Sequence, residues 1–498
     1  MLVFSAASTN HWCTVPDINQ ECDEWNLTSS QCTEQTMMLG IPPSIDTTYP
    51  NDNCQRYNLT GVPLVYNTSG ADIGVEVIQC DKGWMYNTTS YATTIISDFD
   101  LVCDEGNRAD IAQMAFSIGT VVGAVLFGYL SDRFGRRSIF LVCLLVQGLV
   151  GLIIAFSPSF IFYTIFRTVL GLANQTVIQL GFVLGNEFTG PSKRVFAGVV
   201  ISFFLSFGNM TLALLAAFCR SWRLLQIVIS IPPLLGVLLL AFIPESARWL
   251  VSVGKVQMAE KIIRKAAKVN GVPQPDVIFT ENEIKELQEP NEASVFDLLK
   301  YPTLRKRILI IVWISMVAGL TFFGLTLNTG GSGTNDYISF LLSGLIEIPA
   351  YVLCLIFLDN IGRRFMTIGF FLIGASACLV TAWLDPGIAK TSVSLLGKFG
   401  ASGALCIVPF YCLELLPTPV RSAGMGLQLM GLGIGSILAP VCLILQDLWD
   451  PSLMLIFGLL CLLSALPTFM LPETAGKALP ETIAEGEDLA KKRSTAKK

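Results

Sequence analysis

The sequence predicts an all-α polytopic membrane protein built from two related helix bundles, with a disulfide-rich domain outside the membrane. Three observations lead to this prediction: an apolar composition, eleven apolar stretches long enough to cross a bilayer, and a set of charged motifs that occurs twice at one spacing. Together they exclude an ordinary soluble domain.

The composition is that of a membrane protein. Of the 498 residues, 52% are hydrophobic and 14% are charged, whereas soluble domains are roughly 25% charged. About 20 apolar residues are needed for a helix to cross a hydrocarbon core of about 30 Å. Such stretches lie near residues 108–130, 138–157, 160–184, 195–218, 222–243, 307–327, 337–358, 365–384, 391–413, 422–446 and 452–471. Because lipid cannot satisfy backbone polar groups, each is predicted to be a helix.

The segment 13–107 is predicted to be an extracellular, glycosylated domain held by disulfides. It is polar and acidic, and its cysteines are Cys13, Cys22, Cys32, Cys54, Cys80 and Cys103. Its N-glycosylation sequons begin at Asn26, Asn58, Asn67 and Asn87. Disulfides and glycans both belong to an oxidising, non-cytosolic compartment. Many cysteine pairings are compatible with the sequence, which does not choose among them.

The positions of basic residues predict the orientation of the helices. Arginine and lysine cluster at every second loop, in 132–137, 244–307, Arg363-Arg364 and the tail 491–498. Cytosolic loops are enriched in these residues, so these loops and the C-terminus are predicted to be cytosolic. The predicted segments are a remnant of a first transmembrane helix at 1–12, the extracellular domain at 13–107, an N-terminal bundle at 108–243, a cytosolic loop at 244–306, a C-terminal bundle at 307–471 and a cytosolic tail at 472–498.

Charged motifs of the N-terminal bundle recur in the C-terminal bundle about 227 residues later, which predicts an internal duplication. The turn 132–137, Asp-Arg-Phe-Gly-Arg-Arg, returns at 359–364 as Asp-Asn-Ile-Gly-Arg-Arg. The predicted cytosolic gate comprises Asp132, Arg133, Arg136, Arg137, Glu187, Arg194, Glu245, Arg248, Asp359, Arg363, Arg364, Glu414, Arg421 and Glu473. An Asp–Arg latch between the inner ends of the two bundles is expected to stabilise an outward-open state. The alternative is that these arginines only anchor helix ends and set topology.

The element 128–137, Gly-Tyr-Leu-Ser-Asp-Arg-Phe-Gly-Arg-Arg, and its second copy resemble the signature loop of the major facilitator superfamily. The Cys-rich segment, Pro-Glu-Ser-Ala-Arg-Trp-Leu at 244–250 and Glu-Leu-Leu-Pro-Thr-Pro-Val-Arg at 414–421 resemble the organic cation/anion/carnitine transporters, solute carrier family 22. Segments 181–187, 262–268 and 347–353 are most similar to its carnitine/organic cation branch. The resemblance implies two six-helix halves, of which this chain largely lacks the first helix, and secondary transport of small organic solutes across the plasma membrane.

Glu347 is the first candidate for substrate binding, because an ionisable residue in mid-span is costly and is a functional candidate by default. It precedes Pro349, which can kink the helix. The resemblance associates a glutamate here with cation transport. Anion-transporting relatives place a lysine at the position of Tyr351 and an arginine at that of Gly433, where cation transporters often have an aspartate. A cation or zwitterion is therefore expected. The alternative is that Glu347 pairs within a packed bundle, with Lys398 as a conceivable partner.

Aromatic rings are the second candidates, since they hold ammonium groups by cation–π attraction. The resemblance places Phe182, Phe322 and Phe323 at such positions, although a single aromatic residue in a span more often packs against its neighbours. Gln179 lies one turn before Phe182, so both can face one cavity. The expected partners are the bilayer, a small organic cation or zwitterion and a coupling ion.

No cofactor, metal, ATP or nucleic acid is expected, since the sequence contains no P-loop, no metal-ligand spacing and no catalytic constellation around its one histidine. The leading hypothesis is a carrier that works by alternating access. Its alternatives are an organic anion transporter and a non-transporting receptor or scaffold on the same fold.

Overall fold

The computed structural model describes residues 2–7, 10–18, 22, 28–42, 54–60, 75–190, 193–240, 242–273, 278–280, 298, 300–328, 335–417, 420–449, 451–476, 480 and 483–488. The chain divides into two compact units. They are Met1–Ala109 with Cys219–Trp222, and Asp110–Phe218 with Arg223–Lys498.

The first unit is small and mixes short helices with two-stranded sheets. Its helices are α1 Leu2–Ser5, α2 Ser29–Gly40 and α3 Ile95–Phe99, and its strands are β1 His11–Cys13, β2 Gln55–Tyr57, β3 Val77–Gln79 and β4 Trp84–Tyr86. The pairs β1–β4 and β2–β3 are antiparallel.

Three disulfides cross-link this unit and pair the six cysteines between residues 13 and 103, whereas Cys219, which also belongs to the unit, is not disulfide-bonded. They join Cys13 to Cys80, Cys22 to Cys32 and Cys54 to Cys103. The cysteines 13 and 22 lie in a small core whose other members include Trp12, Ile18 and Leu59. A core of this size stabilises little by itself, so covalent cross-links are the usual supplement in such domains.

A buried arginine ties the two strands of the β2–β3 sheet to the following turn. Arg56 donates from Nε to Asp81 at 2.8 Å and from Nη1 to the carbonyl of Tyr57. The hydrogen bond from Arg56 holds the pKa of Asp81 below its usual value. Two of the predicted sequons are described here: Thr60 and Thr89 each donate a hydroxyl hydrogen bond to the asparagine two residues before it, Asn58 and Asn87. Asn26 and Asn67 lie outside the described residues.

The second unit is helical. Its long helices are α4 Arg108–Phe134, α5 Arg136–Ala155, α6 Phe160–Phe188, α7 Arg194–Phe218, α8 Trp222–Leu240, α11 Pro302–Leu327, α12 Asp336–Ile361, α13 Arg363–Thr381, α14 Ile388–Leu415, α15 Arg421–Leu448 and α16 Ser452–Thr468. Nine helices of the described chain are long and apolar enough to cross a membrane, and the apolar helices Trp222–Leu238 and Ser452–Thr468 are shorter. Three short helices, α9 Ala247–Ser252, α10 Val256–Val269 and α17 Ile483–Asp488, complete the set.

Glycines allow the long helices to approach closely. A Cβ atom on Gly431 would lie 2.6 Å from the carbonyl oxygen of Val312, and one on Gly435 would clash with the carbonyl of Met316. Helices α11 and α15 therefore meet backbone to backbone along this stretch. Small residues at such interfaces are typical of helices packed in lipid, where association depends on van der Waals contact rather than on the hydrophobic effect.

The short helix α17 closes the start of α11. Glu487 accepts the backbone N–H groups of Thr303 at 3.1 Å and Leu304 at 3.0 Å, and Arg307 donates to the carbonyl of Gly486. Burial alone would raise the pKa of Glu487, but these hydrogen bonds outweigh it and the pKa lies below its usual value. A carboxylate at a helix N-terminus satisfies orphan donors and complements the helix dipole.

We expect the disulfides to contribute unequally to the stability of the first unit. Cys22–Cys32 closes 10 residues and Cys54–Cys103 closes 49, so in the chain-entropy picture loss of the longer link costs roughly 1–2 kcal/mol more. The paired variants Cys22→Ser/Cys32→Ser and Cys54→Ser/Cys103→Ser of the full chain are compared by the urea concentration at which this unit becomes sensitive to protease. Equal midpoints would contradict the ranking.

Candidate functional site

Glu347 lies in the middle of α12, is fully buried and accepts hydrogen bonds from two helices. Ser206 of α7 donates its hydroxyl to Oε2 at 2.7 Å, and Tyr351, one turn further along α12, donates to the same oxygen at 3.5 Å. Helix α7 belongs to the first half of the duplicated chain and α12 to the second. The carboxylate therefore lies at the contact between the two halves.

Lys398 of α14 is the charged partner of Glu347. Its Nζ lies 3.5 Å from Oε1 of Glu347, and 2% or less of either side chain is exposed. Lys398 also donates to the carbonyl oxygen of Phe322 at 3.2 Å and to the hydroxyl of Thr326, both on α11. A buried ion pair is stable only when further hydrogen bonds satisfy both groups. The contacts to α11 provide them for Lys398, and Ser206 provides one for Oε2 of Glu347. Oε1 of Glu347 has the ammonium of Lys398 beside it but no hydrogen-bond partner in the described part of the chain.

Aromatic rings border both charges. The Nζ of Lys398 lies 3.7 Å from the centroid of the Phe322 ring, a cation–π contact. On the other side, Phe203 of α7 meets Tyr351 edge to face at 5.9 Å. The site is thus an anion and a cation about one hydrogen bond apart, each with a ring beside it.

The structure brings only some of the predicted residues into this cluster. Glu347, Tyr351 and Phe322 belong to it. Phe323 touches Phe322 edge to face, with ring centroids 5.4 Å apart, but packs into a separate apolar cluster around Phe457. Its position on α11 differs from that of Phe322 by about 100°, which turns it toward another neighbour.

Phe182 and Gln179 lie elsewhere, on α6. The ring of Phe182 is 6.0 Å from that of Phe410 on α14, another contact between the halves. Gln179, one turn earlier, has a buried Oε1 with no hydrogen-bond partner in the described part of the chain. An unsatisfied buried amide is costly, so its oxygen is a candidate to accept a hydrogen bond from a solute or water.

Sequence reasoning missed three members of the cluster, Ser206, Phe203 and Thr326. It named Lys398 as a conceivable partner of Glu347, and the two side chains do pair in the structure. The signal is that a mid-span lysine needs a partner and Glu347 is the acid available at similar depth. A serine, a threonine and a phenylalanine in apolar helices carry no comparable signal.

The charged turn between α4 and α5 is held by acids from later in the same half. Arg136 pairs with Asp132 at 3.2 Å and, more closely, with Glu187 of α6. Glu245 accepts the backbone N–H of Arg137 at 3.0 Å. Gly135 has φ of 101°, and a Cβ there would lie 2.5 Å from the Glu245 carboxylate. Only glycine satisfies both conditions.

The turn between α12 and α13 repeats this arrangement. Arg363 pairs with Asp359 and with Glu414 of α14, each at 2.8 Å. Glu473 accepts the N–H groups of Arg363 and Arg364 at 2.8 and 3.1 Å. Gly362 has φ of 98° and faces Glu473 as Gly135 faces Glu245. Each charged motif thus finds the same partner in both halves.

The described ion pairs of these turns lie within one half or the other. The inter-half Asp–Arg latch predicted from the sequence is not among them, because Arg136 and Arg363 each pair with an acid one turn away and with a glutamate on a later helix of their own half. Of the other predicted gate residues, Arg133 and Arg248 are exposed, while Arg364 lies over the ring of Phe469. Arg421 donates to the carbonyl of Leu416, and the side chain of Arg194 is outside the described part.

The halves also meet near the start of α4. Ser117 donates to the carbonyl of Ser436 on α15, and a Cβ on Gly433 would clash with Val121 of α4. Gly344 of α12 approaches Met210 of α7 in the same way. The absence of a charged side chain at Gly433 therefore has a steric reason in this state: α4 occupies the space.

Comparisons with known proteins agree with this architecture. The family profile described as "Sugar (and other) transporter" matches residues 79–484. Solute carrier family 22 member 21 of Mus musculus is 34% identical over 98% of this chain and 87% of its own. Organic cation/carnitine transporter 2 of Homo sapiens is 32% identical over 97% and 86%. The organic cation transporter protein of Drosophila melanogaster is 34% identical over 89% and 83%.

Solved structures show the same fold at lower identity. The xylose transporter XylE from E. coli in its inward open conformation aligns with a TM-score of 0.63 at 19% identity, over 77% of this chain and 92% of XylE. The human organic anion transporter MFSD10 aligns with a TM-score of 0.52 at 16% identity, over 72% and 83%. At these identities the likeness shows the fold alone.

The duplicated helical fold and its two charged turns define a transporter of the major facilitator superfamily. The profile and the relatives place it further: the chain belongs to the sugar (and other) transporter family and, within it, to solute carrier family 22. It is a multi-pass membrane protein and a secondary transporter. The family and fold class predicted from the sequence are confirmed.

We expect Lys398→Met to destabilise the protein by roughly 3–5 kcal/mol, because it leaves the Glu347 carboxylate buried without its ionic partner. The double variant Glu347→Gln/Lys398→Met should regain most of this loss. Thermal unfolding in detergent measures both, with the exposed Arg305→Met as control. A Lys398→Met protein as stable as the unaltered chain would show that the pair does not form.

Proposed function

We propose that this transporter is a plasma-membrane carrier for small organic cations and zwitterions such as carnitine, that it works by alternating access, and that it has no catalytic role. Several relatives are named organic cation or carnitine transporters, which supports this solute class. The buried Glu347–Lys398 pair between aromatic rings is the observation that carries the proposal.

The charge balance of this site favours a zwitterion. The carboxylate of Glu347 and the ammonium of Lys398 sum to zero, so a solute with no net charge leaves the site neutral. A quaternary ammonium group fits beside Glu347, Tyr351 and Phe203, where cation–π contacts contribute about 0.5–2 kcal/mol each. A carboxylate on the same solute fits beside Lys398. Binding therefore replaces the ion pair between Glu347 and Lys398 by two ion pairs with the solute, one at each residue.

A simple cation requires a different arrangement. Lys398 must then move away from Glu347. The hydroxyl of Thr326 and the carbonyl oxygen of Phe322, both on α11, can continue to accept its hydrogen bonds. The binding of a cation adds one positive charge, so its entry is driven by an inside-negative membrane potential at about 2.3 kcal/mol per charge per 100 mV. Entry of a zwitterion does not depend on the membrane potential unless an ion is transported with it. The voltage dependence of uptake therefore distinguishes a zwitterion from a cation as the solute.

The arrangement of the two halves supports an inward-facing state. The halves meet at Ser117 and Ser436 and at Gly344 and Met210, near the ends of α4 and α12 proposed to be extracellular. An inter-half latch at the charged turns belongs, in this proposal, to the opposite, outward-open state.

The alternatives are less well supported. An organic anion transporter requires a net positive site, whereas Glu347 balances Lys398 here. A receptor or scaffold on the same fold requires no buried pair at the contact between the halves, and such a pair costs free energy to bury. A carrier for cations and zwitterions makes use of both charges.

We expect uptake of labelled carnitine into cells that express the chain, and loss of it in both Glu347→Gln and Lys398→Met. Tetraethylammonium uptake should be lost in Glu347→Gln and retained in Lys398→Met, because only the acid is needed to hold a cation. Ser392→Ala, an exposed change on α14, is the matched control. Para-aminohippurate uptake that survives Glu347→Gln, with no uptake of carnitine or tetraethylammonium, would overturn the proposal.

The orientation has a test of its own. We expect an impermeant thiol reagent added outside intact cells to label Lys82→Cys, which is exposed in the first unit, and not Arg133→Cys, which is exposed in the α4–α5 turn. The reason is that basic turns stay cytosolic while the disulfide-bonded unit is exported. Labelling in the reverse pattern would reverse the proposed topology.

A further inference from the structure

Helix α10 is strongly amphipathic and mostly basic on its polar side. Its sequence, 256–269, is Val-Gln-Met-Ala-Glu-Lys-Ile-Ile-Arg-Lys-Ala-Ala-Lys-Val, with four basic residues and one acid. At 100° per residue the basic side chains occupy one sector and the apolar side chains the other half of the helix. This helix has no role in the substrate site described above.

Only part of the apolar half is covered by the protein. Ala259 is buried in a small cluster with Trp249, Leu250 and Val251. Met258 and Val269, in contrast, are 56% and 79% exposed. Around the helix axis, Met258 and Val269 share one direction, which lies between the direction of Ala259 and that of the lysines. An apolar strip beside a basic one therefore faces away from the cluster.

The lysines border this strip on its polar side. Lys261, Lys265 and Lys268 are exposed and lie within about 100° of one another on the helix. Side chains of this kind extend along an apolar surface and place their ammonium groups at its edge. An apolar strip with a lysine border is the pattern of a helix that lies in the interface of an anionic membrane.

The helix is tethered to the charged end of the N-terminal bundle. Trp249 of α9 donates from Nε1 to the carbonyl of Asp132 at 2.7 Å, and Lys255 lies over the Trp249 ring. Glu245, just before α9, holds the backbone of Arg137. These contacts keep α10 beside the turn where α4 and α5 leave the membrane.

We propose that α10 docks on the membrane surface beside that turn, with Met258 and Val269 in the headgroup boundary and Lys261, Lys265 and Lys268 on anionic lipid headgroups. The occupant is an anionic lipid surface because three features are combined: exposed apolar side chains, an excess of positive charge, and a tether that holds the helix at the membrane boundary. Juxtamembrane basic segments are attracted to such lipids.

The test uses the full chain in lipid nanodiscs of phosphatidylcholine alone or mixed with phosphatidylserine. An environment-sensitive fluorophore is attached at Met258→Cys in a Cys219→Ser background, since the other free cysteines are buried. Gln257→Cys, exposed one residue away on the polar side, is the matched control. We expect phosphatidylserine to shift the emission at position 258 to shorter wavelength and to leave position 257 unchanged.

Charge reversal tests the lipid specificity. Lys261→Glu/Lys265→Glu/Lys268→Glu should abolish the shift at position 258, because it replaces the attraction to anionic headgroups by repulsion. Arg305→Glu/Lys306→Glu, exposed at the start of α11, should leave it in place. Equal emission in both lipid mixtures, or equal shifts at positions 257 and 258, would overturn the proposal. Because emission is read without solute, a failed carrier hypothesis leaves this result unaffected.

Discussion

Burial of Glu347 together with Lys398 is the constraint on which the rest of the transport domain depends. Removing two charges from water costs several kcal/mol per ion, and the cost is offset only if every charged atom finds a partner. Those partners come from four helices: Ser206 on α7, Phe322 and Thr326 on α11, the pair itself on α12 and α14. The packed helices therefore take the place of water around the ion pair.

In the proposed mechanism, the same dependence couples solute binding to the movement of the halves. Ser206 is the partner that comes from the first half, and rocking α7 away from α12 removes its hydrogen bond from the Glu347 carboxylate. A solute ammonium group can take the place of that hydrogen bond. The two charged turns are suited to such rocking, since their arginines pair within each half and each turn moves as part of a rigid body.

Features that depend on local sequence patterns could be predicted, whereas features that depend on contacts between distant residues could not. The eleven apolar helices, the duplication and the family follow from hydropathy and from motifs a few residues long, which the chain carries wherever it folds. The disulfide partners and the role of Ser206 depend on residues brought together over 10 to 141 positions. Glu347 and its conceivable partner Lys398 could be named because mid-span charges are costly. Ser206 and Phe203 could not, because position along an apolar helix does not show which face a side chain takes.

Gly433 shows why a missing charge need not mean a missing function. A side chain there would occupy the space that Val121 of α4 fills, so the close contact between α4 and α15 and a charge at this position exclude each other in this state. A positive charge lies instead on α14, where Lys398 reaches Glu347, the one fully buried acid among the described residues. Both signs of charge then lie on the second half, within 3.5 Å of each other, while the first half supplies a hydroxyl and a ring. In the proposed mechanism, recognition of solute charge is thereby concentrated in one half, and the other half moves against it without carrying a buried charge of its own into that contact.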